Sequence, residues 1–370
     1  MNKRTALFFS VTAWFIAASL GMLLKFYGTA ESADFLVSNY AAFLVTLILG
    51  VVLGIFYWLA DLAGESRRLR RKSYGFLILF KSGILLCSYV LIVFLARIVA
   101  YLSGSIAAGD IVPKFIEMLF RRAQLAAMLY VVVVSFIVGF IRQMISKTGP
   151  RVTLNLLLGR YRNPREEMRV FMFIDLKSST THAEKLGHIQ YSKLIRDCFF
   201  DLTDSAIKHR VEIYQYVGDE AVLTWTRDKG LEANRCIHAY FDFQEAIKQR
   251  SDYYEQQYGL APEFKAGVNS GPVVVTEVGV VKREIAYHSD VLNTAARIQS
   301  KCNEFGERFL ISSRTQSLLQ TDQSLSFESV GEIALRGKEE TVELFAVRRT
   351  EGSGFSNPEQ TVEFISKMIC

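Results

Sequence analysis

Proline and cysteine are both scarce in this sequence, at six and five of 370 residues. So few prolines, with 12% aromatics, argue against a disordered or fibrous chain. Cys87, Cys198, Cys236, Cys302 and Cys370 are odd in number, scattered and never in CxxC spacing. That pattern argues against a disulfide framework or a zinc site and suits a reducing compartment. Cys370 is not a prenylation box either, which needs its cysteine three residues earlier. Internal repeats and low-complexity tracts are absent. Residues 151–370 also lack an excess of positive charge, with 28 basic against 31 acidic residues, while residues 1–150 carry 15 against 6. The net +6 therefore belongs to the first half, which removes a basic nucleic-acid-binding surface as the meaning of the pI.

What the first half does have is long apolar runs. Spanning a bilayer takes about 20 mostly apolar helical residues, and four stretches qualify: 5–24, 35–60, 76–102 and 123–146. Positive charge is uneven around them. Lys3 and Arg4 precede the first span. Arg67, Arg68, Arg70, Arg71 and Lys72 crowd the loop after the second, and Arg142, Lys147 and Arg151 close the fourth. The loop between spans one and two holds Glu31 and Asp34 beside Lys25. The positive-inside rule then predicts a multi-pass protein of the cell (inner) membrane with both termini and residues 151–370 cytoplasmic. Lys114, Arg121 and Arg122 in the third loop run against the trend. A cleaved signal peptide is the competing reading of the first run, although about 20 apolar residues exceed the usual signal core; the location of the second half is unaffected. Lys81 and Arg97 lie near opposite ends of span three and read as snorkelling side chains. No ion-pathway cluster stands out, so the spans are expected to be an anchor or a sensor, in contact with the lipid bilayer.

From residue 147 to 169 a polar cytoplasmic linker is expected, then a folded domain over 170–350 and a tail over 351–370. Val170–Ile174 reads as a buried strand ending at Asp175, and 180–208 as a long amphipathic helix. Val211–Val217 and Ala221–Trp225 read as a hairpin turning at Gly218-Asp219. A helix over 228–257, a strand over Phe264–Val268, a β-ribbon through 272–287 and a helix from Ser289 follow, with late strands at 308–312, 326–330 and 342–348. The β-α-β-β-α-β order predicts a ferredoxin-like core with an antiparallel extension.

In that topology Asp175 and Asp219 meet at one end of the sheet. Two carboxylates without a cation repel; with Mg²⁺ they make an oxygen site that substrate phosphates complete. Taken singly, Asp219 reads as a turn residue and Asp175 as a helix cap. Asn293 and Arg297, four apart around Ala295 and Ala296, share a helix face and could hold a triphosphate or a developing phosphoryl charge. Alone, that pair reads as a solvated face capped by Ser289 or Asp290.

Together the segments Phe173-Ile-Asp175, Val217-Gly-Asp219, Gly267-Val-Asn-Ser-Gly-Pro272 and Asn293-x3-Arg297 resemble the class III adenylate/guanylate cyclase catalytic domain over about 168–348. The resemblance implies an α+β fold, a ferredoxin-like antiparallel sheet flanked by helices, here preceded by a four-helix transmembrane domain. It implies two divalent cations, Mg²⁺ or Mn²⁺, on Asp175, Asp219 and the backbone carbonyl of Leu176. It makes Asn293 and Arg297 catalytic, and gives Arg336 the terminal phosphates, where the family usually has lysine. It also implies a homodimer with two shared sites, one subunit supplying the aspartates and the other the base-reading and Asn/Arg groups. The substrate is a nucleoside triphosphate, with ATP ranked first, the product 3′,5′-cyclic AMP and pyrophosphate, and no nucleic-acid partner is expected.

The departures fall at the base. Gln215 stands where the family has its base-reading lysine, and Ala286 where its partner carries Asp or Thr. A glutamine amide offers both donor and acceptor, so it suits the N1 and N6 edge of adenine, and flipped it suits guanine or a pyrimidine. His288 reads as a structural histidine near Asp290. Glu220 is expected to point away from Asp219 and is left out of the metal set. A diguanylate cyclase is disfavoured because Val217-Gly-Asp-Glu-Ala221 lacks that family's second glycine and phenylalanine. A degenerate nucleotide-binding domain that signals by dimerisation stays as the non-enzyme alternative.

Overall fold

A computed structural model describes residues 3–26, 40–64, 69, 72–104, 107–281, 283–334 and 341–350. The chain divides into two compact units, Met1–Leu154 and Asn155–Cys370.

The first unit is helical because its sequence offers long apolar stretches with every backbone group satisfied inside the helix. It comprises α1 (Lys3–Phe26), α2 (Tyr40–Gly64), α3 (Tyr74–Leu102), the short α4 (Ile111–Leu119) and α5 (Arg122–Thr148). Among the described residues three helices are long and apolar enough to cross a membrane: Leu44–Gly64, Tyr74–Leu102 and Arg122–Ile145. Within α1, Ala6–Met22 is a further apolar helical segment among the described residues. Multi-pass membrane association is what these helices suggest. Gly50 and Gly54 let α1 and α2 pack at backbone distance. A methyl group at Gly50 would lie 2.6 Å from Ala18 Cβ, and one at Gly54 2.7 Å from Val11 Cα, the use that small residues have in apolar helix pairs.

Lys81 does not snorkel. Its Nζ sits 2.6 Å from Asp61 Oδ1, and Arg142 lies 2.5 Å from Asp61 Oδ2, all three side chains being largely buried. Arg142 also reaches Ser10 Oγ at 3.3 Å. One carboxylate thus ties α2, α3 and α5 together, because a buried charge needs a partner more than it needs the interface. The basic third loop is less anomalous than its sequence suggested. Lys114 pairs with Asp110 at 2.7 Å and Arg121 with Glu117 at 2.8 Å.

The second unit is built on an eight-stranded sheet of order β2-β3-β1-β4-β6-β8-β7, with β5 paired to β4. The strands are β1 (Arg165–Leu176), β2 (Glu212–Val217), β3 (Glu220–Thr226), β4 (Phe264–Val278), β5 (Glu284–His288), β6 (Phe309–Ser312), β7 (Leu325–Ala334) and β8 (Thr341–Arg349). The boundary between the units falls inside α6 (Pro150–Leu157), and the helices of the second unit are α7 (Ser179–Lys208), α8 (Arg227–Leu231), α9 (Arg235–Lys248), α10 (Ser251–Tyr258), α11 (Asp290–Lys301) and α12 (Ser313–Gln316). The β2-β3-β1-β4 order is the ferredoxin-like core. The extension is not wholly antiparallel, since β6 pairs parallel with β4 before β8 and β7 return antiparallel. The sheet is therefore mixed.

Several features differ from expectation. The helix expected over 228–257 is broken into α8, a 3-10 turn, α9 and α10; Ala233 and Asn234 have φ of 50°. The long helix α7 bends at Gly187, whose φ is 70°. The linker expected up to residue 169 is instead α6 followed by the first five residues of β1, which pair with β4 from Arg165 onward. Charge made 165–169 look like linker, but Arg169 is 1% exposed, bonding Glu167 at 2.9 Å and Glu212 at 2.7 Å and stacking 4.8 Å over the Tyr287 ring.

Alternation along β1 gives the sheet two buried faces. Val170, Met172 and Ile174 join Leu223, Phe243 and residues of α7 and α9 in the larger core. Phe171 and Phe173 lie on the other face with Val222, Val273, Val275 and, from α11, Val291 and Ala295. Asp175 continues the second series, so the sheet delivers its carboxylate to the α11 side.

Candidate active site

The site begins where β1 runs out. Asp175 is opposite Glu220 of β3 and Lys265 of β4 in register, and Asp219 occupies the β2–β3 turn beside Gly218, whose φ of 61° suits glycine. The two aspartates expected to converge do so. Burial, then the charge of Asp219, raises the Asp175 carboxyl above the ordinary carboxylate range. Asp175 Oδ2 accepts a hydrogen bond from Gln299 Nε2 at 3.1 Å and lies 3.4 Å from Lys265 Nζ. Asp219 Oδ2 is buried and accepts no hydrogen bond from the described residues. A buried carboxylate oxygen without a donor is costly unless a cation supplies the missing partner, so the residues present fit a divalent metal ion. Among the described residues no group of three or more His, Cys, Asp and Glu converges on one point; two carboxylates leave the rest of a Mg²⁺ shell to substrate oxygens and water. Leu176 puts its side chain into the larger core, so only its backbone carbonyl is available to a cation.

Glu220 is closer to this charge than its sequence position implied. Directly paired residues of antiparallel strands share a face, and Glu220 is paired with Asp175. Burial, then the charges of Asp175 and Asp219, push its carboxyl up to about 7. Tyr191 of α7 was also missed: burial, then the charge of Asp219, pushes its phenol up to about 12. Lys265 and Gln299 carry no motif signal. Only strand register could have found the lysine, and nothing short of the packing of α11 could have found the glutamine.

Helix α11 carries Asn293 and Arg297. Ser289 is its N-cap, accepting from Val291 N and donating to Pro272 O at 2.8 Å; of the two expected caps, Asp290 is the first helical residue instead. Gly267 seats the helix, since a Cβ there would lie 2.2 Å from Gln299 N and 2.7 Å from Ala295 O. At about 100° per residue, Asn293 and Arg297 are about 40° apart, whereas Gln299 is about 120° from Asn293 and about 160° from Arg297. The face that touches Asp175 is therefore not the face that bears the Asn/Arg pair. Asn293 is exposed and Arg297 half-buried.

The positions expected to read the base lie on β2 and β5, an end strand and a side strand of the sheet. Gln215 is exposed on β2, next to a bulge at Tyr214, and is paired with Val222. Ala286 is half-buried on β5 and paired with Thr276. The two strands are held to one another by Tyr214 and Tyr287, whose rings meet edge to face at 4.9 Å. His288 is exposed at the end of β5 opposite Val274. Arg336 lies outside the described residues.

Residues 161–348 match the family described as Adenylate and Guanylate cyclase catalytic domain. Adenylate cyclase 2 of Rhizobium meliloti is 31% identical over 241 residues, 65% of this chain and 66% of that protein. The receptor-type guanylate cyclase gcy-4 of Caenorhabditis elegans is 29% identical over 172 residues, 45% of this chain, and only 15% of that protein is covered. A solved bacterial light-regulated adenylyl cyclase superposes with a TM-score of 0.53 at 17% identity, covering 68% of this chain and 73% of that one; this likeness speaks for the fold. A β2-β3-β1-β4 core with paired aspartates at the end of β1 and in the following hairpin, together with a family match over half of the sequence, makes this chain a member of the class III adenylate and guanylate cyclase family.

Proposed function

We propose that this chain is a membrane-anchored adenylate cyclase that converts ATP to 3′,5′-cyclic AMP and pyrophosphate at two sites shared across a homodimer. The observation that carries the reading is the division of labour on the second unit. Gln299, which bonds Asp175, and the Asn293/Arg297 pair lie about 120–160° apart around α11. That separation supports a reading in which a second copy supplies the Asn/Arg set to the aspartates of the first.

The reaction is attack of the ribose 3′-oxygen on the α-phosphorus of the same nucleotide, with the bond to the bridging oxygen of pyrophosphate breaking. Two divalent cations held by Asp175, Asp219 and the Leu176 carbonyl supply charge neutralisation and acidify the 3′-hydroxyl when bound. The chain's own residues orient and stabilise. Asn293 aligns the ribose, so that the attack is effectively pre-oriented. Arg297 meets the charge that grows on the α-phosphate, and Arg336 holds the terminal phosphates with a forked guanidinium in place of an ammonium. No side chain is assigned as general base, and the proton leaves to water. Gln215 reads the N1 and N6 edge of adenine, Ala286 leaving it room without a second polar partner. The adenylate cyclase of Rhizobium meliloti supports ATP over GTP.

Residues 1–146 serve as the four-span anchor or sensor, 351–370 as a tail, and the connection expected over 147–169 ends where β1 opens the catalytic domain at Arg165. The charge pattern supports an inner-membrane location with both termini and the catalytic domain cytoplasmic. The test is product formation by purified full-length protein with Mg²⁺ or Mn²⁺ and ATP, GTP, CTP or UTP separately, read by mass spectrometry. Cyclic AMP should dominate, and Asp175→Ala should remove it. Another cyclic nucleotide as the main product refutes the base assignment. No product from a demonstrably dimeric sample refutes catalysis and favours a nucleotide-binding signalling domain.

A further inference from the structure

We propose that Gln299 is a positioning residue for the metal-binding carboxylate of its own subunit, and that α11 thereby serves two active sites at once. Gln299 would orient Asp175 in one site, while Asn293 and Arg297 complete the site of a second copy. The inference rests on the shared-site reading above and adds a residue and a link to it.

Four observations converge. Gln299 is 5% exposed, on the buried side of α11. Its Nε2 donates to Asp175 Oδ2 at 3.1 Å, and Lys265 Nζ stands 3.4 Å from that same oxygen. Both groups therefore hold Oδ2 of a carboxylate that lies beside Asp219, whose Oδ2 has no hydrogen-bond partner among the described residues. Finally, Gly267 admits the α11 backbone so closely that Gln299 N would meet a Cβ at 2.2 Å; the amide reaches the carboxylate because the helix is seated there.

The consequence is mechanical. A carboxylate that could rotate would bind a cation in several geometries, and a donor on one oxygen removes that freedom, as groups behind metal ligands commonly do. Because the donor shares a helix with Asn293 and Arg297, a shift of α11 changes the metal site of one subunit and the ribose and phosphate contacts of the other together.

Gln299→Met removes the amide but keeps a long side chain for the buried position. The probe is Mn²⁺ titrated into full-length dimer holding 3′-deoxy-ATP, which lacks the attacking hydroxyl, and followed by electron paramagnetic resonance. Mn²⁺ binding should weaken about tenfold or more, with the thermal midpoint little changed. If Gln299→Met does not fold, Gln299→Asn keeps the amide but withdraws it by one methylene, and should show the same loss. Mixed dimers of differently tagged chains then locate the defect. Gln299→Met paired with Arg297→Ala should recover one working site, because the second chain keeps its aspartates and the first keeps its arginine. Gln299→Met paired with Asp175→Ala should recover none. Unchanged Mn²⁺ affinity, or the reverse pattern of recovery, overturns the proposal. Asp175→Ala paired with Arg297→Ala is the control for site sharing. If that pair stays inactive, the shared site is wrong and with it the two-site role of α11, while the Mn²⁺ titration still decides whether Gln299 positions Asp175.

Discussion

Replacing Gly267 with alanine places a methyl group against backbone, not against a movable side chain. The new Cβ would sit 2.2 Å from Gln299 N, 2.6 Å from Gln299 Cα and 2.7 Å from Ala295 O. Ordinary contact begins at 3.4 Å, so α11 must retreat from β4 by about 1.2 Å at its nearest atom. Overpacking of this kind costs about 1–3 kcal/mol. The retreat also carries Asn293, Arg297 and Gln299 away from their places, and a displacement of about 1 Å in positioning groups costs on the order of 100-fold in rate. The variant should therefore remain folded, melt measurably earlier and lose about two orders of magnitude in kcat for cyclic nucleotide formation. The check is a thermal melt beside a steady-state assay of the purified protein. A Gly267→Ala protein with wild-type kcat would show that the seating of α11 on β4 does not set the catalytic geometry. A variant that loses activity without any loss of stability would show that the steric estimate is misplaced.

Three further predictions concern charges. Arg169→Ala leaves Glu167 and Glu212 facing one another without their buried cation and should cost about 3–5 kcal/mol, seen as a lower melting midpoint; a midpoint within experimental error of wild type would refute the role of this network. Asp61→Ala strips the shared partner from Lys81 and Arg142 and should lower the detergent-solubilised melting temperature, with Lys81→Met in the same chain recovering part of the loss. The carboxyl of Asp242 is held well below the usual range, first by its hydrogen bond to His209 and then by Lys208. A depressed folded pKa stabilises above the unfolded value and is lost as pH falls through the folded one. Asp242→Asn should therefore destabilise the protein at pH 7 and converge on wild type only in strong acid; a gap that widens on acidification would contradict the pairing.

Long apolar runs, the hairpin at Gly218-Asp219 and the order of strands and helices are local or periodic signals, and each was legible in the sequence. So were Asp175, Asp219, Asn293 and Arg297 as candidates, because their types and spacings are local. Side-chain period alone could also have placed Asp175 on the face of Phe171 and Phe173. What was not legible depends on partners far along the chain. Arg169 looked like linker because charge in a sequence reads as exposure, and only Glu167, Glu212 and Tyr287 make its burial affordable. Lys81 looked like a snorkelling lysine because Asp61 is 20 residues away on another helix. The parallel pairing of β6 with β4 follows from sheet order, which no local pattern encodes. Gln299 is the sharpest case: a polar residue near a helix end has no distinguishing signal, and its bond to Asp175 spans 124 positions. Local chemistry thus determined which residues were available to a cyclase site. Tertiary packing decided which of them meet, because hydrogen bonds and ion pairs act over a few ångströms whatever their separation in sequence.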